Sequence, residues 1–268
     1  MELKIFVSSL VLALILMPSL AWKWRIDMKI AIPGAVVIGG LTGFIVSGIN
    51  SLPANFGIAV LILIELFFIF LITFLAIMVK FYRDPERAPL ETEGVILSPA
   101  DGKVIYVKEV EEGSPLVSTK GDKRFELNEI MATDSLADVA CLIGIDMNIL
   151  NVHVNRSPIE GKIILQKHTK GKFLSLRRQE SDILNERVTM IIDNEVFRIG
   201  VVQIASRLVR RIVSYLKEDS SVMIGQRIGA IIFGSQVDVA IPQIENLRVS
   251  VRPGDKVIAG ISVIARYG

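Results

Sequence analysis

The 268-residue sequence is poor in the side chains that build disulfide frameworks and metal sites. It has one cysteine, Cys141, and two histidines, His153 and His168. A single thiol excludes an internal disulfide framework and a multi-cysteine metal site. Cys141 lies in the apolar run Val-Ala-Cys-Leu-Ile-Gly-Ile, which is typical of a buried small hydrophobic residue. We therefore expect neither disulfides nor a bound metal.

Charge is nearly absent from the first 80 residues. They carry five Lys or Arg and three Asp or Glu, whereas the whole chain has 30 and 28. The other 188 residues carry 25 charges of each sign, so the mean hydropathy of +0.52 comes from the N-terminal part. This pattern excludes a fully soluble enzyme and a channel or transporter embedded throughout. The net charge of only +2 argues against nucleic-acid binding, which needs a basic face.

Three apolar stretches are long enough to be membrane spans, which need about 20 residues each. They are residues 5–22, 30–49 and 56–79. The first could instead be a signal peptide, but its start, Met-Glu-Leu-Lys, is not net basic and no cleavage site is clear. Glu65, the one charge within these stretches, indicates either a helix contact or a functional group in the membrane. We predict a membrane anchor of two or three helices over residues 1–80 and a soluble domain over 81–268.

Basic residues beside the apolar stretches predict the orientation of the anchor. They follow the first and the third stretch, and they are Lys23, Arg25, Lys29, Lys80, Arg83 and Arg87. The connection at 50–55 has no charge. The positive-inside rule then predicts a multi-pass protein of the cell membrane with a cytoplasmic soluble domain.

The soluble part consists of short β-branched runs separated by Gly, Pro, Asp and Asn. The runs flank the turn at 99–102 and continue at 139–145, 161–165, 187–192, 196–204, 228–233, 237–241 and 257–264. Long amphipathic helices do not alternate with them, so a doubly wound α/β sheet is not expected. The segment 206–217 fits either a helical stripe or a strand. We predict transmembrane helices followed by a mainly antiparallel β domain (β-rich α+β), as a sandwich or partly closed barrel.

Five motifs of the soluble part occur in a distinctive order. They are Phe81-Tyr-Arg-Asp-Pro-Glu-Arg87, Ser98-Pro-Ala-Asp-Gly-Lys103, Val152-His-Val-Asn-Arg-Ser-Pro-Ile-Glu-Gly161, Gly171-Lys-Phe173 with Asn185-Glu-Arg187, and Phe233-Gly-Ser-Gln-Val237. Behind a membrane anchor, this order resembles the phosphatidylserine decarboxylase proenzymes. The resemblance is to their short membrane-anchored form, which includes the archaetidylserine decarboxylases, and it covers residues 81–264.

The resemblance implies a self-made cofactor. In that family the serine of the Gly-Ser motif attacks the preceding carbonyl, and elimination then leaves a pyruvoyl group that serves as the electron sink for decarboxylation. Here Ser235 would be the nucleophile and Gly234 would supply the carbonyl. The products would be a β chain, 1–234, and an α chain, 235–268, that carries the pyruvoyl group. Glycine at 234 suits an unusual backbone conformation and a close approach.

The resemblance also implies a base for the serine hydroxyl, which is a weak nucleophile until its proton is taken. It assigns this role to His153, oriented by Asp101. From the residues alone, Asp101 could be a plain turn residue and His153 a polar strand residue. Long family members have two histidines three positions apart, where this chain has His153 and Arg156. A second departure is Gln236, where short members commonly have arginine.

The implied substrate is a phospholipid with a serine headgroup, phosphatidylserine or archaetidylserine, which would become the ethanolamine lipid. Its phosphate needs a cation, and arginine is the better bidentate partner. Candidate substrate-binding residues by motif position are His168, Arg156, Lys172 and Arg187. Each of these cations could also be a solvated surface charge. The resemblance is compatible with association into a homo-oligomer.

Two alternatives lack this catalysis. The strands around Pro-Ala-Asp-Gly-Lys103 also look like a lipoyl- or biotin-carrier hairpin, with Lys103 as the modified residue. Such carriers usually place the lysine after Asp or Met rather than after Gly. The second alternative is a membrane-anchored scaffold or interaction domain, which would need none of the polar motifs.

Overall fold

Three α-helices form the N-terminal part of the chain in the computed structural model. The structure describes residues 2–24, 26–50, 56–109, 117–120, 123–126, 139–171, 185–205, 211–232 and 235–268. The helices are α1 (Glu2–Lys23), α2 (Met28–Asn50) and α3 (Ile58–Phe81). The first two helices contain the first two predicted apolar stretches, α3 begins two residues inside the third, and each helix is long and apolar enough to cross a membrane.

Small residues and one polar contact hold the helices together. A Cβ atom at Gly39 of α2 would lie 2.9 Å from the Cα of Leu10 in α1, so only glycine allows this approach. The Ser8 hydroxyl and Glu65 Oε1 are 2.6 Å apart, which joins α1 to α3. Glu65 is buried and makes the helix contact that was one of its two interpretations.

The rest of the described chain is β-structure. Its strands are β1 (Val95–Leu97), β2 (Gly102–Glu109), β3 (Val117–Lys120), β4 (Lys123–Glu126), β5 (Val139–Met147), β6 (Val154–Arg156), β7 (Gly161–Thr169), β8 (Arg187–Asp193), β9 (Arg198–Ala205), β10 (Arg211–Ser214), β11 (Ser221–Val222), β12 (Arg227–Ile232), β13 (Ser235–Pro242), β14 (Arg248–Val249), β15 (Lys256–Val257) and β16 (Val263–Arg266). The largest sheet has the order β11-β7-β8-β9-β13-β5-β2-β15. Two three-stranded sheets, β1-β16-β14 and β10-β12-β6, and the β3-β4 pair complete the set. The described strand pairs are antiparallel, as predicted.

Strand β13 occupies the middle of the large sheet and is buried on both faces. Val237, Val239 and Ile241 belong to the main hydrophobic core. Ala240 belongs to a second core on the opposite face, where Gln236 and Asp238 are also buried. A strand covered on both sides reads as a nearly continuous apolar run, and this made 237–241 recognisable in the sequence.

Two segments differ from the simple strand pattern. The run 257–264 is not one strand, because β15 ends at Val257 and β16 begins at Val263. Between them the chain turns at Gly260, whose φ of 70° favours glycine. Of 206–217, the structure describes a strand at 211–214, while 206–210 lie outside the described residues. The described residues after Arg83 contain no helix.

The chain divides into two compact units. One comprises Met1–Arg83 with Asn148–Leu150, and the other comprises Asp84–Met147 with Asn151–Gly268. The described candidate site residues all belong to the second unit, whose two cores pack against the large sheet.

Candidate active site

Ser235 is the first residue of β13, and its backbone is paired on both sides. It lies opposite Met147 of β5 and opposite Ala205 of β9. The preceding strand β12 ends at Ile232 and belongs to a different sheet. Gly234 and the side chain of Ser235 lie outside the described residues. In the sequence, the predicted cleavage bond therefore lies between β12, which belongs to one sheet, and β13, which is the central strand of another.

His153 lies beside the strand that leads to this bond. It directly precedes β6 and is only 3% exposed. Its backbone carbonyl accepts a hydrogen bond of 3.1 Å from the N–H of Ile231, four residues before Ser235. Strand β12 is thus hydrogen-bonded to the backbone of the predicted base, His153, and precedes the predicted nucleophile, Ser235, in the sequence.

The hydrogen bond of the His153 ring determines its tautomer. Nδ1 lies 2.9 Å from the carbonyl oxygen of Asn151. A carbonyl oxygen only accepts, so Nδ1 must carry the proton. In the neutral ring Nε2 then carries the lone pair, which is the form that a general base needs. The resemblance assigned the orientation of this ring to Asp101, whereas the structure assigns it at Nδ1 to a backbone carbonyl.

Asp101 is a buried turn residue, and its carboxylate organises the backbone around it. Its oxygens accept hydrogen bonds from Arg87, from the N–H of Ala259 at 2.9 Å and from the N–H of Val152 at 3.4 Å. Among the described residues these are its partners, rather than the ring of His153. The turn interpretation is therefore correct for the backbone but incomplete, because the side chain reaches the residue next to His153.

Arg87, which the sequence suggested to be a headgroup or topology anchor, contacts the candidate site residue Asp101. Its Nη1 and Nη2 lie 2.6 and 3.0 Å from the two carboxylate oxygens of Asp101. Nη1 also lies 2.9 Å from the carbonyl oxygen of Ala259. The sequence signal for this contact is the motif Arg83-Asp-Pro-Glu-Arg87. It contains acidic as well as basic residues, whereas a topology signal needs only the basic ones.

Arg156 binds the protein itself. It is buried, with Nη1 3.0 Å from the carbonyl oxygen of Gly225 and Nη2 3.0 Å from that of Pro85. Nη2 also lies 3.4 Å from Asp84 Oδ1. Burial, and then the neighbouring Arg227, lower the pKa of the guanidinium. These contacts favour a structural role over the predicted contact with a lipid phosphate.

Two of the other candidate substrate residues, His168 and Arg187, lie at the adjoining ends of β7 and β8. His168 is about half exposed, and its Nε2 lies 2.8 Å from Glu186 Oε1. Arg187 is buried opposite Thr169, with Nη1 3.5 Å from the carbonyl oxygen of Asn185. Lys172 lies outside the described residues. Of this set, His168 is the one with an accessible polar ring.

Two asparagines that were not among the predicted site residues contact the strand neighbours of Ser235. Asn185 Nδ2 donates to the carbonyl oxygen of Ala205 at 2.9 Å. Asn155 Nδ2 lies 3.8 Å from the sulfur of Met147. Both occur inside motifs used for the family resemblance, which was the available signal.

Lys103 does not occupy the tip of an isolated hairpin, as a carrier lysine would. It lies within β2 and is paired with Asp146 of β5 and with Lys256 of β15. Strands on both sides make its backbone part of the large sheet. The carrier alternative therefore lacks the exposed turn that it requires.

Comparison with known proteins identifies the family. Residues 74–265 match the family model described as phosphatidylserine decarboxylase, which is well over half of the chain. The chain belongs to the phosphatidylserine decarboxylase family. This family consists of carboxy-lyases, so the prediction of an enzyme of this class is confirmed.

Relatives of this decarboxylase family member come from archaea and bacteria. It is 41% identical over 187 residues to a protein of Methanocaldococcus jannaschii that carries the name archaetidylserine decarboxylase proenzyme, covering 70% of this chain and 88% of the relative. A protein of Methanothermobacter thermautotrophicus with the same name is 37% identical over 204 residues, covering 74% and 84%. A phosphatidylserine decarboxylase proenzyme of Erythrobacter litoralis is 37% identical over 199 residues, covering 74% and 76%.

Proposed function

We propose that this chain is a proenzyme that cleaves itself between Gly234 and Ser235 and then decarboxylates the serine headgroup of a phospholipid. The observation that carries the proposal is the environment of His153. Its Nδ1 donates to a backbone carbonyl, and its own carbonyl is bonded to the strand that leads to Ser235. A buried histidine whose Nδ1 donates to a carbonyl, and which lies beside the strand that leads to the Gly-Ser bond, is suited to activate the serine hydroxyl.

In the proposed self-cleavage, Nε2 of His153 accepts the hydroxyl proton of Ser235, and the oxygen attacks the carbonyl carbon of Gly234. The amide becomes an ester as the nitrogen leaves and takes up a proton. Elimination then removes the Cα proton of residue 235 and breaks the bond from the serine oxygen to Cβ, so the 1–234 chain ends in a carboxylate and residue 235 becomes dehydroalanine. Hydrolysis of the remaining enamine releases ammonia and leaves a pyruvoyl group at position 235. Asp101 contributes by holding the backbone of Val152, next to His153.

We propose that the pyruvoyl group forms at position 235, the first residue of β13. The group would supply a carbonyl that withdraws electrons as carbon dioxide leaves the substrate. Its carrier, the 34-residue chain 235–268, would begin inside a sheet, because β13 is paired with β5 on one edge and with β9 on the other. These backbone ladders keep the new N-terminus in place after the covalent link is lost.

The substrate proposal rests on chemistry that the relatives' names share. Phosphatidylserine and archaetidylserine differ in their hydrocarbon chains, whereas the serine amine, carboxylate and phosphate are the same. We propose a serine-headgroup lipid as substrate, with the soluble unit on the cytoplasmic side of a multi-pass membrane protein. The three apolar helices and the basic residues that follow the first and third support this placement.

Intact-mass analysis of the purified protein tests the proposal. We expect two chains, with the 34-residue C-terminal chain blocked at its N-terminus and carrying one carbonyl that borohydride reduces. Vesicles with phosphatidylserine and vesicles with archaetidylserine, each assayed for released carbon dioxide, distinguish the two lipid classes. A homogeneous full-length chain without a reducible carbonyl would contradict self-processing. Lack of activity on both lipids by a cleaved protein would contradict the substrate.

A further inference from the structure

Four consecutive residues that follow the membrane anchor are bonded to the decarboxylase unit. We name Asp84, Pro85, Glu86 and Arg87 the juxtamembrane strap; only Tyr82 and Arg83 separate it from α3 in the sequence. Every strap residue contributes a polar group to a contact. The partners are Arg156 and Arg227 for Asp84, Arg156 for the carbonyl of Pro85, Arg227 for Glu86, and Asp101 and Ala259 for Arg87.

We propose that the juxtamembrane strap is a positioning element for self-cleavage, in which Arg87 sets the orientation of Asp101 and Asp84 holds the strands that flank the site. This inference rests on the proposed self-cleavage. It gives the segment after the anchor a role in the reaction, beyond that of a connection to the membrane.

The contact between Arg87 and Asp101 has the geometry of an orienting pair. Two N–H groups of one guanidinium contact the two oxygens of one carboxylate, and such a bidentate pair restrains the plane of the carboxylate as well as its position. Both side chains are about nine-tenths buried, so water competes little for these bonds. Ala259 closes the arrangement, since its carbonyl accepts from Arg87 and its N–H donates to Asp101.

A short series of hydrogen bonds links this pair to the proposed base. Asp101 accepts from the N–H of Val152, the residue immediately before His153. His153 in turn accepts from the N–H of Ile231 in β12. A carboxylate that rotates or shifts would therefore change the backbone next to His153, and displacements of about 1 Å at a catalytic group can cost roughly 100-fold in rate.

The other end of the strap holds two arginines that would repel each other. Arg156 of β6 and Arg227 of β12 are directly opposite in the strand register, and like charges in such positions are destabilising. Asp84 places one carboxylate oxygen 3.4 Å from Arg156 Nη2 and the other 2.6 Å from Arg227 Nε. Strand β6 follows His153 and strand β12 leads to residue 234, so Asp84 stabilises the pairing of the two strands that border the site.

The test compares self-cleavage of Arg87→Gln with a matched control, Arg266→Gln. Nη1 of Arg266 also lies 2.6 Å from a carboxylate oxygen, that of Glu91, but the pair is exposed. Full-length protein is synthesised in nanodiscs, and the appearance of the 34-residue chain is followed over time. We expect Arg87→Gln to cleave about 10 to 100 times more slowly than wild type and Arg266→Gln to cleave at the wild-type rate. Asp84→Asn is expected to fall between the two.

Chemical rescue separates positioning from a general loss of structure. Added methylguanidinium is expected to restore at least part of the cleavage rate of Arg87→Gly and to leave the rate of Asp84→Asn unchanged, because only the first variant has a cavity shaped for a guanidinium. If Arg87→Gln fails to fold, Arg87→Lys replaces it in the test. Lysine keeps the positive charge but lacks the paired N–H donors of the guanidinium, so we expect this variant to cleave more slowly than wild type. Wild-type rates in Arg87→Gln or Arg87→Lys, or failure of rescue, would overturn the strap proposal. Absence of cleavage in wild type would instead overturn the proposed function.

Discussion

The backbone N–H of Ile231 donates a hydrogen bond of 3.1 Å to the carbonyl oxygen of His153. Four residues after Ile231 the chain reaches Ser235, which begins the central strand of the large sheet. The proposed base and the proposed nucleophile are 82 positions apart in sequence, and a single strand relates them. Experiments on this pair therefore test the site most directly.

Replacing Ser235 with alanine removes the hydroxyl that is proposed to attack Gly234. Ser235→Ala is expected to remain a full-length chain and to release no carbon dioxide from serine lipids, because the pyruvoyl group derives from this residue. Gel electrophoresis and a carbon dioxide assay check both outcomes. Ser221→Ala, at an exposed strand position, is the control that should cleave normally. Activity of uncleaved Ser235→Ala would show that the cofactor position is wrong.

The two histidines are expected to respond differently to substitution. His153→Asn removes the acceptor nitrogen, and we expect self-cleavage to slow by about 10²- to 10⁴-fold, the usual contribution of a general base. His168→Asn removes only the contact between a half-exposed ring and Glu186, so cleavage should proceed normally. If His168 contacts the substrate, the processed variant should show a raised KM at similar kcat. Equal cleavage rates for the two variants would contradict the role of His153.

Asn155 and Gln203 form a buried pair of side-chain amides, and each amide loses a hydrogen bond when the other is replaced. Gln203 Nε2 donates to Asn155 Oδ1 at 2.7 Å, and both side chains are buried. Asn155→Leu or Gln203→Leu leaves a buried amide with a lost partner, so each should lower the free energy of unfolding by about 1–3 kcal/mol. The double variant should lose less than the sum of the two.

Urea denaturation in the uncleaved Ser235→Ala background measures these changes on a single chain. That background avoids the separation of the two processed chains during unfolding. Strict additivity of the Asn155 and Gln203 substitutions would show that the two amides do not interact.

Cys141 is expected to be unreactive in the folded protein. Burial, and then the nearby charge of Glu109, raise the pKa of the thiol from 9.0 to about 12, and its residue is only 1% exposed. The thiolate is the reactive form, so alkylation by iodoacetamide at pH 8 should be slow in the native protein and fast in urea.

The same shift makes stability depend on pH in a defined direction. Between pH 9 and pH 12 the unfolded thiol loses its proton while the folded thiol keeps it, so this contribution is complete below pH 9 and is lost as the pH rises towards 12. A Cys141→Ala variant should lack this part of the alkaline loss of stability. Identical alkaline profiles for variant and wild type would argue against the raised pKa.

Much of the architecture could be predicted from the sequence because it depends on local patterns. Apolar stretches of about 20 residues predicted the three helices. Runs such as 237–241 predicted strands, because residues that are buried in the core of a sheet form short apolar runs in the sequence. The run 257–264 was misleading. Its composition favours one strand, but Gly260 turns the chain, and Ala259 there binds Arg87 and Asp101.

The sequence by itself determined the three long apolar helices, the strand-rich class and the family, since hydropathy, β-branched runs and ordered motifs are all properties of the linear chain. Only the tertiary structure decided which charges meet. Arg87 looked like a topology signal and Arg156 like a phosphate ligand, yet the first binds Asp101 and the second binds the strap. Partners far apart in sequence are chosen by strand register and by the need to pair buried charges, and neither is visible before the chain is folded.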